Sequence, residues 1–229
     1  MAQKHESLKV TFEFGSPVVV DSEYPIYLDA LLAFAKAKDA EGKGAPNPWS
    51  EAQDLPLGKA GKGSNWVWKA SVLLFTPGAP RELVNMQRKS DPDMFYRDHA
   101  AGLWGQNKSR VPTINTKSGQ LRAYQFYVST QWMLKAEAWY VGDEKLIEYL
   151  LSKISHIGKM GRNGWGQISN HEVSRSREAA ELWKLRVLPA DVKGLKGVSY
   201  VPTISPPRAP YWDKLARVEM FEPIMGSRT

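Results

Sequence analysis

Residues 158–166 read Gly158-Lys159-Met160-Gly161-Arg162-Asn163-Gly164-Trp165-Gly166, so four glycines and two cations fall within nine positions. The stretch follows an amphipathic segment and precedes a polar, strand-like one. Glycine adopts positive φ and lets a backbone approach a ligand closely, because it has no Cβ. A tight turn needs only one glycine, whereas freed backbone N–H groups and two cations together suit phosphates. The stretch therefore predicts an anion-binding loop, called the glycine loop below.

A second glycine- and lysine-rich segment, Gly58-Lys59-Ala60-Gly61-Lys62-Gly63-Ser64, briefly resembles a phosphate-binding loop. A Walker loop needs Ser or Thr directly after its lysine to hold magnesium, and Gly63 follows Lys62 here. The segment therefore predicts a flexible basic loop without nucleotide hydrolysis. The glycine loop also differs from dinucleotide-binding motifs, because it lies after a predicted helix and before a predicted strand.

The bulk composition is that of a basic globular protein. The 229 residues include 31 Lys and Arg against 24 Asp and Glu, which gives a net charge of +7. Such a charge favours a polyanionic partner, most often nucleic acid, over the alternative of a basic protein with no such ligand. The chain has no cysteine, no apolar run of about 18 residues and no apolar N-terminal signal segment. We therefore expect no disulfide, no thiolate metal site, no membrane span and a cytoplasmic location.

Hydrophobic periodicity predicts the order of the secondary structure. Strands are predicted at 8–14, 66–75, 124–140 (one long strand or a tight pair) and 167–175, with helices at 28–35 and 146–154. Asp143 is expected to cap the start of the second helix, and Gly158 to follow its end as a C-cap. Residues 39–65 lack periodicity and predict a long loop. The order strand, helix, strand, strand, helix, strand predicts an α+β fold with a ferredoxin-like β-α-β-β-α-β unit.

The domain organisation follows from this order. We predict a ferredoxin-like domain at 1–178 with a large insertion at about 79–121. A C-terminal β extension at 179–229, with its last strand at 215–221, is expected to pack on the same domain. The insertion contains the cations Arg88, Lys89, Lys108, Arg110 and Lys117, with Phe95, Tyr96 and Trp104 among them. Cations interspersed with aromatic rings suit single-stranded nucleic acid, and the alternative is a solvated excursion that only covers the sheet.

Two stretches resemble a known group of proteins. They are the first helix, Leu28-Asp29-Ala30-Leu31-Leu32-Ala33, and the loop I-G-K-M-G-R-N-G-W-G-Q-I before a strand. Together with the ferredoxin-like frame they resemble the RAMP superfamily of CRISPR-associated proteins, whose signature is a glycine-rich loop after the final helix of such a unit. The length, insertion and C-terminal strands are similar to the subunit that holds the five-prime handle of the guide RNA. The first helix and the basic, cysteine-free chain resemble the version in type IV effector complexes, the Csf family.

The resemblance implies a non-catalytic subunit of an antiviral, guide-RNA-directed ribonucleoprotein. Such a subunit binds the crRNA handle and caps the backbone filament beside the large subunit, and the complex recognises target DNA. No cofactor is implied. The insertion would correspond to a thumb that hooks over the RNA. Carried over residue by residue, the RNA-binding positions are Gly158, Lys159, Gly161, Arg162, Asn163, Gly164, Trp165 and Gly166 in the loop, and Arg88, Lys89, Lys108, Arg110 and Lys117 in the thumb.

Two other functions remain open at the level of sequence. Metal-independent cleavage of precursor crRNA needs a general base and a general acid, and His156 and His171 flank the glycine loop. The alternative for these histidines is a helix C-terminal position and an exposed strand position, respectively. No carboxylate cluster has the spacing of a metal site, so no metal is expected. A free-standing adaptor for single-stranded nucleic acid is the other possibility, and it would lack preference for one handle sequence.

Overall fold

The computed structural model describes residues 5–19, 25–89, 91–103, 118 and 122–225. In these ranges the helices are α1 (Leu28–Gly42), α2 (Pro48–Glu51), α3 (Pro92–Ala100), α4 (Glu144–Leu151) and α5 (Ala179–Leu182). The strands are β1 (Glu6–Phe14), β2 (Lys59–Ala60), β3 (Val67–Trp68), β4 (Leu74–Pro77), β5 (Glu82–Arg88), β6 (Tyr124–Thr130), β7 (Met133–Gly142), β8 (Ile168–Arg175), β9 (Tyr200–Ser205) and β10 (Val218–Pro223). None of the helices in the described ranges is long and apolar enough to cross a bilayer.

The main sheet has four antiparallel strands in the order β4-β7-β1-β8. Val10 of β1 lies opposite Ala138 of β7 on one side and Val173 of β8 on the other. The remaining described strands pair in twos, as β2 with β3, β5 with β6, and β9 with β10. Antiparallel sheets combined with a few helices are compatible with the predicted α+β class.

The alternating sequence of β1 is explained by the core of this sheet. Leu8, Val10 and Phe12 are fully buried, because every second side chain of a strand points to the same face. The helical partners in the same cluster are Leu28 and Leu32 of α1, and Ile147, Leu150 and Leu151 of α4. Burial of each such side chain stabilises the folded state by about 1.5–3 kcal/mol. The apolar spacing that predicts these elements therefore also stabilises them.

The C-terminal segment builds a second buried cluster within the same compact unit. Trp183, Val187, Leu188 and Met220 cluster with Tyr27, which directly precedes α1. Helix α5 contacts β7 and β1 of the main sheet. The last strand begins later than the prediction of 215–221, because residues before β10 belong to turns rather than to the β9–β10 pair.

A buried ion pair ties α1 to the C-terminal segment. Asp29 and Arg186 are both 0% exposed, and Arg186 Nη1 lies 3.5 Å from Asp29 Oδ1. The Tyr211 hydroxyl donates to Asp29 Oδ2 at 2.8 Å and accepts from Arg186 Nη2 at 2.6 Å. Arg186 Nη1 also donates to the carbonyl oxygens of Trp68 and Ala70. Burial raises the pKa of Asp29, although Arg186 and Tyr211 oppose that shift.

Three predicted segments differ from the structure. Residues 66–75 form two short strands in different sheets, β3 and β4, and residues 124–140 form β6 and β7, which do not pair with each other. The apolar alternation runs on across both breaks, so periodicity alone cannot show where the chain changes sheets. The predicted loop at 39–65 is interrupted, because α1 continues to Gly42 and α2 and β2 follow.

Close contacts divide the chain into two compact units. One contains residues up to Pro80 and residues from Gln131 onward, and the other is Arg81–Thr130. The second unit, called the hairpin unit here, overlaps the predicted insertion at 79–121 and extends it to the end of β6. Its strands β5 and β6 are paired so that Met86 lies opposite Phe126. Asp91 caps helix α3 by accepting from the N–H groups of the first turn.

Candidate nucleic-acid interface

The glycine loop lies between α4 and β8. Asp143 caps the start of α4 as predicted, since its Oδ1 accepts from Leu146 N at 3.0 Å. The helix ends at Leu151, so the prediction that Gly158 follows it as a C-cap is wrong. Ile157 N donates to Gly166 O at 2.8 Å, and this bond closes the base of the loop directly before β8.

The loop is fixed to the segment that follows β1. Lys159 N donates to Val19 O at 2.9 Å, and Gly166 N donates to Pro17 O at 2.8 Å. These bonds lie near the two ends of the loop, so its backbone is held at both ends by one neighbouring segment. Because β1 is paired on both sides within the main sheet, the segment that follows it holds the loop backbone rigidly.

A serine side chain adds a third attachment. Ser16 Oγ donates to Gly164 O at 2.8 Å and accepts from Gln167 N at 2.9 Å. The N–H groups already used inside the protein belong to Lys159, Asn163, Gly164, Gly166 and Gln167. Four of the nine N–H groups of the glycine loop are therefore satisfied internally, which reduces the backbone part of the predicted cradle and leaves a larger share of anion binding to the cationic side chains.

Two of the loop glycines are required by close backbone approach. Gly158 has φ 97°, and a Cβ there would lie 2.7 Å from Val19 O. Gly166 has φ 68°, and a Cβ there would lie 1.9 Å from Ile157 O. Neither distance is compatible with a side chain, so both glycines are needed for the hydrogen bonds that hold the loop.

The other two glycines have different roles. Gly164 has φ 86° but faces open space, so only its backbone conformation requires glycine. Gly161 begins a short 3-10 turn, Gly161–Asn163, and a Cβ there would lie 3.0 Å from the Cβ of His156. Gly158 and Gly166 therefore form the packed base of the loop, and Gly161 and Gly164 form the turn at its tip.

The tip of the loop exposes the predicted cations. Lys159, Arg162 and Asn163 are exposed, while Trp165 is half-buried. Arg162 forms no ion pair with any carboxylate in the part of the chain that the structure describes. Half-burial lets the Trp165 ring pack against the loop while part of its surface stays accessible. The side chains that sequence reasoning selected are therefore brought together on one rigid turn.

The hairpin unit contains the described part of the predicted thumb. Arg88 is the last residue of β5, lies opposite Tyr124 of β6 and is exposed, as is Lys89. Tyr124 and Phe126 form a tilted ring pair with centroids 5.5 Å apart. The remaining predicted thumb residues lie outside the described residues, and they are Lys108, Arg110 and Lys117.

The aromatic residues that the sequence placed in the insertion differ in exposure, since Tyr96 is 47% exposed, while Trp104 lies outside the described residues. Phe95 is only 8% exposed, whereas Tyr124 and Phe126 are each 43% exposed. Both were assigned to the main sheet because their alternation continues into β7.

The two histidines near the loop are separately engaged. His156 Nδ1 lies 2.9 Å from Ser155 Oγ, and the His171 ring lies against Phe12 with centroids 6.4 Å apart. His156 is bridged to Gln167, so His171 lies four residues further along β8, or about 13 Å at 3.3 Å per residue. The structure records no contact between the two rings. No group of three or more His, Asp or Glu able to hold a metal occurs among the described residues.

The face of the main sheet opposite α1 and α4 carries an ion-pair network. Lys9 Nζ and Lys135 Nζ lie 3.1 and 3.0 Å from Glu137 Oε1. Burial raises the pKa of Glu137, but the hydrogen bonds from both lysines outweigh it and lower that pKa. Glu137 therefore compensates one of the two positive charges at the centre of this face, which makes the loops better candidates for contacts with phosphate.

The described residues thus form an α+β protein with a rigid, cation-bearing glycine loop and a basic hairpin unit. The family model for CRISPR type IV associated protein Csf3 matches residues 6–223. The chain belongs to this family, as its resemblance to type IV Csf proteins predicts. It therefore takes part in a type IV CRISPR system, in complex with other Cas subunits. No curated protein matches the chain.

Proposed function

We propose that this chain is the non-catalytic, guide-RNA-binding subunit of a type IV CRISPR effector complex. It holds the five-prime handle of the crRNA and caps the backbone filament beside the large subunit. The observation that carries the proposal is the glycine loop, whose base is packed and whose tip exposes Lys159 and Arg162. A rigid cationic turn binds phosphates with little loss of conformational entropy.

The order of strands in the main sheet supports a ferredoxin-like RAMP unit. Counted along the chain, the sheet strands β1, β4, β7 and β8 are separated by α1 and α4 in the pattern β-α-β-β-α-β. The first strand lies between the third and the fourth. The glycine loop then falls between the final helix and final strand of the unit, where the RAMP signature places it.

The hairpin unit carries a second proposed RNA-binding surface of its own. Arg88 and Lys89 line a groove of about 500 Å³ together with Tyr124 of the neighbouring strand. Aromatic rings stack on bases and cations contact phosphates, so this groove suits a single strand of RNA. The proposal includes target DNA as a partner of the assembled complex, because the same side chains contact phosphates of either nucleic acid.

A test of handle recognition separates this proposal from its alternatives. The purified chain with its partner subunits is titrated with guide RNA from its own CRISPR array and with the same RNA carrying a scrambled five-prime handle. We expect clear preference for the native handle at physiological salt. Equal affinity for both RNAs would favour a free-standing adaptor for single strands.

The same material tests for catalysis. Precursor crRNA is incubated with the protein in EDTA, and we expect no product because His156 and His171 have separate contacts. Cleavage that is lost on His156→Ala or His171→Ala would instead identify a metal-independent endoribonuclease.

A further inference from the structure

The basic segment at residues 58–64, which sequence reasoning set aside as a failed Walker loop, forms a hairpin. Strands β2 and β3 pair with Lys59 opposite Trp68, and residues 61–66 form the tip. Gly61 has φ 100° and Gly63 has φ 59°, conformations that glycine supplies without strain. This β2–β3 hairpin lies in the main unit of the chain and carries two exposed lysines, Lys59 and Lys62.

Aromatic rings hold two cations in place on this hairpin. Lys59 Nζ lies 4.6 Å from the ring centre of Trp66 and 5.1 Å from that of Trp68. Arg208 Cζ lies 3.9 Å from the same Trp66 ring. The Arg208 guanidinium also donates to the carbonyl oxygens of Ser64 and Trp66 at 3.1 and 2.6 Å. The rings and carbonyls therefore fix the direction of both side chains.

The positive charges of this cluster are not neutralised. Lys59, Lys62 and Arg208 form no ion pair with a carboxylate among the described residues. A cation–π contact orients a cation but leaves its net charge unchanged, since the ring is neutral. The two lysines of the hairpin, together with Arg208, which packs against Trp66 from the C-terminal segment, create a positive potential that favours an anionic partner. The contrast is with Lys9 and Lys135, which share Glu137.

The hairpin and the glycine loop lie at opposite ends of β1. Gly58 N donates to Val141 O at 2.7 Å, and Val141 lies opposite Ser7 at the start of β1. Gly15 N, just after the end of β1, donates to Gln167 O beside the glycine loop. Eight residues of extended strand span about 25 Å. One compact anion cannot contact both places, so the hairpin needs its own anion or another segment of a long one.

We infer that the β2–β3 hairpin, through Lys59, Lys62 and Arg208, binds the phosphodiester backbone of a nucleic-acid strand. The inference goes beyond the proposed handle site, because it adds a contact about 25 Å away. Lys59 and Arg208 cover the Trp66 ring, so a base cannot stack there. The contact is therefore made to phosphate and does not depend on base identity. Guide RNA and target DNA share this chemistry.

Binding measurements on the full chain test this inference. A fluorescein-labelled polyuridine strand is titrated against the wild type and against Lys59→Ala/Lys62→Ala over a series of salt concentrations. Loss of two phosphate contacts lowers the slope of log K against log salt by up to about 1.4 for a single strand. The matched control is Lys145→Ala/Lys193→Ala, which removes two other exposed lysines of the same unit. A hairpin variant with the same slope as this control overturns the inference.

A charge variant and a second ligand sharpen the result. Lys62→Glu changes only an exposed tip residue, so we expect weaker binding with an unchanged urea midpoint. Guide RNA alone and guide RNA with complementary DNA form two further arms: a loss in the first assigns the contact to RNA, and a loss only in the second assigns it to DNA. If binding is unchanged in both arms, the inference is overturned.

The two proposals fail in distinguishable ways. If Lys159→Ala/Arg162→Ala weakens binding but the hairpin variants do not, only the hairpin contact is refuted. If the wild type retains no nucleic acid in any arm, both proposals fall.

Discussion

The glycine loop and the β2–β3 hairpin have similar compositions but are built in different ways. In the glycine loop, the backbone of Gly158 and of Gly166 lies so close to a carbonyl oxygen that no Cβ fits, and the loop backbone is bonded to the segment after β1. In the hairpin, Gly63 faces open space, and cation–π contacts on Trp66 position the charges. Similar glycine and lysine content therefore gives two different structures, one held by its backbone hydrogen bonds and one whose charges are positioned by aromatic side chains.

The largest expected effect is the loss of the support beneath the hairpin. Asp29→Ala leaves Arg186 buried without its counter-charge, while Arg186 still holds the carbonyl oxygens of Trp68 and Ala70 at the end of β3. Removing one partner of a buried ion pair typically costs about 3–5 kcal/mol. Urea denaturation measures the change in the free energy of unfolding. A loss below about 1 kcal/mol would show that the pair does not support this part of the fold.

The next effect distinguishes the glycines of the two loops. Gly166→Ala places a Cβ 1.9 Å from Ile157 O and forces the loop base open, so we expect a loss of about 3 kcal/mol or more. Gly63→Ala, in open space, carries only the cost of positive φ, about 1 kcal/mol. The midpoints of urea denaturation give both values. Equal costs would mean that the glycine loop is no more tightly packed than the hairpin.

The smallest effect concerns the side-chain attachment of the glycine loop. Ser16→Ala removes the hydroxyl that bonds Gly164 O and Gln167 N. These groups are partly solvated, so we expect a loss of about 1 kcal/mol. Hydrogen exchange at Gln167 should accelerate, because its N–H loses its acceptor. Unchanged exchange would argue that the backbone bonds alone hold the loop.

Much of the architecture is predictable from local pattern. The β1 alternation, the α1 spacing and the Asp143 cap are each set by residues close together in sequence. The family also follows from the glycine loop and the first helix. The segment at 124–140 shows the limit, because alternation continues while the chain moves from the hairpin unit into the main sheet.

The residues of the candidate site were predictable from the sequence, but the contacts that hold them in place were not. The exposed tip residues Lys159 and Arg162 were identified from composition. The hydrogen bonds of the Lys159 and Gly166 N–H groups depend on Val19 and Pro17, which are distant in sequence and belong to no motif. The hairpin cluster depends on Arg208, which lies more than a hundred residues from Trp66, so a spacing rule has no means of finding it.

The most direct test of the central claim is the salt dependence of guide-RNA binding by Lys159→Ala/Arg162→Ala. Lys145→Ala/Lys193→Ala is again the control with the same change in net charge. If the tip of the glycine loop contacts two phosphates, the slope of log K against log salt falls by up to about 1.4 relative to the wild type, and the control keeps the wild-type slope. An unchanged slope in the loop variant would contradict the account.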